Sequence, residues 1–110
     1  MELPPKTCAI DRLVTHEEGV AQVLAGQKTA QRRNGRYADI GETGELGGRT
    51  FRITAVYPQM LGEMTEAQAR AEGYPSMEAY RASILALHPG MPWVPKARVW
   101  VHEWQPVTAG

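Results

Sequence analysis

Val20, Val23 and Leu24 recur at helical spacing behind Thr15-His16-Glu17-Glu18, and Gly26 ends the run. Apolar positions three and four residues apart share one face of a helix. Thr15 and Glu18 have the spacing of a capping box, so this stretch predicts a first helix from about Thr15 to Ala25. Gly26 stops it, because glycine enters the left-handed conformation without a Cβ penalty. An extended segment then begins at Lys28, with Lys28, Ala30 and Arg32 pointing one way and Thr29, Gln31 and Arg33 the other.

Asn34-Gly35 and the glycine-rich run from Gly41 to Gly48 are turn chemistry, which leaves loop or short strand between them. From Arg49 to Tyr57, Phe51, Ile53 and Ala55 alternate with Thr50, Arg52 and Thr54, the pattern of a half-buried strand that Pro58 ends. Thr65-Glu66-Ala67-Gln68 is a second capping box, opening a short helix to about Glu72 that Gly73 stops. Ser76 caps a third helix with Met77, Tyr80, Ile84 and Leu87 on one stripe, closed by His88-Pro89-Gly90. Arg98 to Gln105, rich in β-branched and aromatic residues, is the last strand. Short strands mixed with three short helices, without regular βαβ alternation, argue for an α+β domain: a small curved sheet or barrel flanked by helices.

Composition narrows the function. The 110 residues support one domain, spanning 1–110, with room for a core but not for a separate regulatory module. Twelve basic and twelve acidic residues cancel, so no global field draws the chain to nucleic acid or an anionic membrane. The charge is nevertheless polarised. Lys28, Arg32, Arg33 and Arg36 fall between Gly26 and Tyr37 with no acid among them, whereas Glu42 to Glu72 leans acidic.

A strand carrying this much charge into a domain is either a cation-decorated edge, which resists aggregation, or a site, since a buried Lys or Arg is costly unless paired. Cys8 is the one cysteine, which excludes an intrachain disulfide and a Cys-based zinc site and reads as an incidental thiol in a reducing compartment. No apolar run approaches a membrane span, and Met-Glu-Leu-Pro-Pro lacks signal-peptide character, so a soluble cytoplasmic protein without membrane contact is expected. His16, His88 and His102 lie in three elements without ligand spacing; each reads as a surface or helix-end residue, and neither metal nor cofactor is expected.

This order of features resembles the ASCH domain family, a branch of the PUA-like superfamily. The resemblance rests on Gly-x-Lys followed by Arg after four intervening residues, matched by Gly26, Lys28 and Arg33. It rests equally on an apolar helix before the glycine, Leu61 to Thr65, the Ala-x-x-Glu-Gly of Ala69 to Gly73, a following helix, and the terminal Val-x-Val-His-Glu-Trp-like strand, roughly from Leu13 to Gln105. It implies a small PUA-like β-barrel flanked by short helices, with the signature Lys in a cleft. Small bacterial members resemble amidohydrolases that remove the acyl group from N4-acylated cytidine or cytosine with a Lys, a Thr and a Glu. Carried over by position, the Lys is Lys28 and the Glu is Glu72. The Thr position holds Gln31, so a bend that lets Thr29 serve, a hydroxyl from elsewhere, or Lys28 acting on a water would supply the nucleophile.

Amide hydrolysis needs a nucleophile, a base and donors for the oxyanion. Burial and Arg33 would push the pKa of Lys28 down while Glu72 pushed it back. Gln31, Arg33, Tyr37 and Trp93 are the candidates for holding a pyrimidine, through hydrogen bonds or stacking, whereas Trp100 and Trp104 share strand parity and are expected to pack the barrel. The expected partner is a small nucleoside. Two alternatives use the same cleft: a non-catalytic RNA-binding module whose phosphate contacts are Lys28, Arg32, Arg33 and Arg36, and a ribonuclease. Zero net charge favours a small neutral substrate over a polyanion.

Overall fold

A computed structural model describes residues 5–87, 89–90 and 92–107; His88 lies outside the described residues. A 3₁₀ turn at Ile10–Arg12 leads into α1 (Glu17–Leu24), β1 (Ala30–Arg33), β2 (Thr43–Leu46) and β3 (Arg49–Met60). A second 3₁₀ turn (Leu61–Glu63), α2 (Glu66–Ala71), α3 (Met77–Leu87) and β4 (Arg98–Pro106) follow. The architecture is α+β, one curled antiparallel sheet in the order β1-β4-β3-β2 with helices against it.

Local chemistry explains most boundaries. Gly26 ends α1 at φ 78°, and Gly73 ends α2 at φ 92°. At α2 the capping box forms in full: Gln68 N donates to Thr65 Oγ1 at 3.2 Å and Thr65 N to Gln68 Oε1 at 2.9 Å. Ser76 caps α3 by accepting from Ala79 N at 3.0 Å. The corresponding box at α1 is not made. His16 is its N-cap and no side chain bonds there, so the helix starts at Glu17, two residues later than expected. On α3, Tyr80 is buried and Met77 and Ile84 are half-buried, but Leu87 at the end of the stripe is exposed.

Two corrections concern the strands. The glycine-rich run contains β2, which pairs with β3 through Gly47 and Gly48 at φ 56° and 82°, the two-residue turn that matches strand twist. Pro58 does not end β3, which runs on to Met60 opposite Arg98. Because β2 pairs only with Arg49–Arg52, one edge of β3 carries no strand at Pro58, and a proline nitrogen on that edge forfeits no ladder bond.

A bulge decides which side chains face the site. The β3–β4 register passes from Ile53 opposite Trp104 to Ala55 opposite Glu103, leaving Thr54 as an extra residue. Phe51, Ile53 and then Val56, not Ala55, therefore face the main core, formed with Leu13, Val14, Val23, Ala38 and Trp104. Beyond the bulge Tyr57 and Gln59 turn to the opposite face, beside Arg32 and Glu103. There a second core of Met64, Ala69 and Tyr80 holds α2 and α3. Trp104 packs the main core and Trp100 lies against it, as their shared parity requires.

His102 is fully buried rather than superficial, on the main-core face. Its Nε2 accepts from Tyr37 N at 3.0 Å, and its Nδ1 faces Gln31 O at 3.4 Å, an arrangement that suits the neutral ring protonated on Nδ1. Burial pushes its pKa below the usual histidine value, against backbone hydrogen bonds to Gln31 and Trp100, with the nearby Arg33 and Arg36 charges adding to the depression. The unfolded chain takes up this proton near pH 6.5, before the folded one does, so stability is lost as pH falls below about 6.5. Urea midpoints should therefore drop between neutral and mildly acid solution, and His102→Gln should flatten that dependence. Equal slopes in both proteins would remove His102 as its source.

Candidate active site

Lys28 reaches the interior through the way α1 ends. Gln22 O accepts from both Gln27 N (2.9 Å) and Lys28 N (3.2 Å), which turns the chain into β1. Thr29 N then donates to Ala71 O at 2.7 Å, and Lys28 Nζ donates to Glu72 O at 2.9 Å. Carbonyls at the end of α2 lack intrahelical partners, and a cation there is favoured by the helix dipole. The plainest role of Lys28 is thus to cap α2, and its position 5% exposed requires some such partner.

The carboxylate of Glu72 turns elsewhere, into an ion pair with the Arg32 guanidinium, each side chain 2% exposed. From Arg32 a chain of hydrogen bonds runs outward. Arg32 Nε and Nη2 donate to Gln59 Oε1 at 3.2 and 2.6 Å, and Gln59 Nε2 donates to Gln68 Oε1 at 3.1 Å. Gln68 Nε2 donates to the Tyr57 hydroxyl at 3.4 Å, which donates to Glu103 Oε2 at 2.7 Å. Lys28, Arg32 and Glu72 are buried while Tyr57, Gln59, Gln68 and Glu103 are half-buried, so the cluster has a closed floor and a wetter outer side.

With Lys28 protonated, two buried cations share one carboxylate; with Lys28 neutral, Arg32 and Glu72 form a matched pair. Burial pushes the Lys28 pKa down to about 8, opposed by Glu72 and assisted by Arg33 and Arg32. Burial raises the Glu72 carboxyl above its usual range, and the Arg32 and Lys28 charges oppose that rise. Tyr57 is raised as well, first by burial and then by its bond to Glu103. Lowering the pKa toward neutrality brings Lys28 into the range a general base needs. The arrangement can accept a proton at Nζ and offer guanidinium N–H groups to a developing oxyanion.

The sequence-predicted residues divide across the sheet. Lys28 and Glu72 lie together. Thr29 is exposed, and it lines a small hollow together with Lys28, Phe51 and Trp104. Gln31 Nε2 donates to Arg32 O at 3.3 Å. Arg33 donates from Nε and Nη2 to Leu13 O at 3.1 and 2.7 Å and lies 5.6 Å from the centre of the Tyr37 ring, which in turn meets His102 edge-on. Gln31, Arg33 and Tyr37 thus gather behind β1. Trp93 packs edge-on against Tyr80 at 6.4 Å, under the Arg81 guanidinium, in the second core.

Arg32 was readable as a cleft residue from its parity with Lys28. Tyr57 and Gln59 were not, because the bulge reverses their face, and Gln68 carried only its capping signal. Among the described residues no group of three or more His, Cys, Asp or Glu is placed to hold a metal ion, and no helix is long and apolar enough to cross a membrane. A groove of about 320 Å³ lies on the other face of the sheet and none of these polar groups lines it.

Comparison with solved structures places the architecture. The crystal structure of an ASCH domain from Lactobacillus crispatus JV V101 superposes with a TM-score of 0.65 over 84% of this chain and 75% of that one, at 13% sequence identity. The chain has the ASCH fold. A protein of Enterococcus faecalis V583 assigned to DUF984 superposes with a TM-score of 0.56 over 80% of this chain and 66% of that one, at 18% identity. No family model matches the sequence, and no curated protein matches it significantly. In this fold Lys28 stands where β1 meets the end of α2, behind the half-buried row of Tyr57, Gln59, Gln68 and Glu103.

Proposed function

We propose that the protein hydrolyses the amide on the exocyclic amine of N4-acylated cytidine or cytosine, with Lys28 as proton acceptor and a water as nucleophile. The observation that carries this reading is a buried lysine with its pKa lowered to about 8, beside an Arg32–Glu72 ion pair, in an ASCH fold. Gln59 Oε1 accepts from two nitrogens of Arg32 and stands in for the oxygen of an incoming amide. A substrate approaching from the outer side displaces Gln59 and gives its acyl oxygen to Arg32. Lys28 takes the proton of the attacking water, the tetrahedral intermediate leans on Arg32, and Nζ returns the proton to the departing amine as the C–N bond breaks. Cytidine and a carboxylic acid leave. Gln68 and Tyr57, joined to each other by a hydrogen bond, would meet the base edge.

The RNA-module reading needs cations free to meet phosphate. Lys28, Arg32 and Arg36 are 5, 5 and 7% exposed, Arg36 is paired with Asp39, and Arg33 is held by Leu13, which favours the small neutral substrate. Incubation with N4-acetylcytidine should release cytidine. Absence of release together with RNA binding that weakens steeply with salt would replace this reading by the module.

Because Thr29 is exposed and makes no side-chain hydrogen bond to the Lys28, Arg32 and Glu72 cluster, Thr29→Val should keep most of the rate. A nearly inactive Thr29→Val would make its hydroxyl the nucleophile and exclude the water route.

A further inference from the structure

Tyr80 is the one buried tyrosine among the described residues, 3% exposed, in the second core with Met64 and Ala69. Its ring is fixed from two sides, edge-on to Tyr74 at 5.2 Å and to Trp93 at 6.4 Å. These contacts need the ring alone. Tyr57 bonds Glu103 and Gln68, and Tyr74 pairs with Ser83 at 3.3 Å, whereas the Tyr80 hydroxyl makes no hydrogen bond among the described residues. A hydroxyl in a core without a partner costs stability, so its presence here calls for an acceptor that arrives from outside. The way in is open. Among the described residues no sealed side-chain oxygen lacks a partner, so the small exposure left to Tyr80 includes its oxygen.

The packing of Tyr80 sets it beside the polar cluster. Ala69, its neighbour in the second core, lies three residues before Glu72, so one face of α2 carries both the support of Tyr80 and the counter-ion of Arg32. The ion pair also acts on the phenol through its charges. Burial raises the Tyr80 pKa above the usual tyrosine value, the Glu72 carboxylate raises it further, and the Arg32 guanidinium opposes the rise. Tyr80 is therefore a neutral donor throughout the range in which Lys28 titrates, never a base. Resting on the reading in which Arg32 receives the acyl oxygen, we infer that the Tyr80 hydroxyl is a second donor to that oxygen, so that the tetrahedral intermediate is held between a guanidinium and a phenol. Arg32 brings the charge. Tyr80, fixed on α3 by two rings, brings direction without burying another ion. A preorganised donor of this kind strengthens its bond as the carbonyl oxygen gains charge, so it acts on the rate more than on substrate binding.

Tyr80→Phe in the full-length chain tests this, because it removes the hydroxyl and keeps the packed ring. Release of cytidine from N4-acetylcytidine should fall about 10²- to 10³-fold in kcat, the loss expected of an oxyanion donor, with KM held within about threefold. The urea midpoint should hold or rise, since the substitution breaks no hydrogen bond within the fold. The surviving rate should keep its midpoint near pH 8, where Lys28 titrates. An unchanged kcat, a loss confined to KM, a moved pH midpoint or a lowered urea midpoint would each overturn the donor role. Release by the unaltered protein in the same assay would then leave the hydrolase reading standing, so the two failures are told apart. No release by the unaltered protein would end both.

Discussion

Glu72→Gln is expected to cost both the rate and about 3 kcal/mol of stability. The carboxylate is the counter-charge of two buried cations, and its side chain is 2% exposed. Glutamine keeps the shape but leaves the Arg32 guanidinium buried without an anion, and breaking a buried pair from one side costs about 3–5 kcal/mol against a total stability of about 5–15. Urea denaturation should show a marked fall in midpoint, and a loss under about 1 kcal/mol would mean that water or another group already neutralises Arg32. Arg32→Met/Glu72→Leu makes the companion test. Replacing both charges by apolar groups of similar volume is often neutral for stability, so the double variant should recover the fold and remain inactive. Recovery of both would reduce the ion pair to architecture alone.

Lys28→Met carries the second large effect, on rate rather than fold. Methionine fills the apolar path of the lysine stem and removes the only proton acceptor proposed for the reaction. General-base loss costs about 10²–10⁴ in rate. Stability should change less, because the lost hydrogen bond to Glu72 O, about 1–3 kcal/mol for a buried acceptor left unmet, is partly offset by removing a second cation beside Arg32. If Lys28 only caps α2, the outcome inverts, with the midpoint falling while the rate per folded molecule persists.

The helices and the last strand were legible because their signals are local. Thr65 with Gln68, Ser76, Gly26 and Gly73 act within four residues of the ends they define. Lys28 and Arg32 were also legible as sharing a face, since β1 follows strict alternation. What the sequence hid depends on pairing between distant segments. The extra residue at Thr54 becomes visible only against β4, and it carries Tyr57 and Gln59 to the site side and Val56 into the core. The role of Glu72 was divided in the same way. Its backbone carbonyl, which no sequence pattern marks, holds Lys28, while its carboxylate takes Arg32. Arg33, drawn to the Leu13 carbonyl, shows that a cation in a motif can be engaged by a backbone oxygen rather than by an opposite charge.

The rate of cytidine release from N4-acetylcytidine as a function of pH, for the unaltered protein and Lys28→Met side by side, tests the account most directly. In the proposed reaction unprotonated Lys28 is the active form, so kcat/KM should rise with pH through a midpoint near the lysine pKa of about 8 and level off above it, while Lys28→Met stays at a low, pH-independent background. Release by the unaltered protein that is flat across that midpoint, or equal release by both proteins, would contradict it.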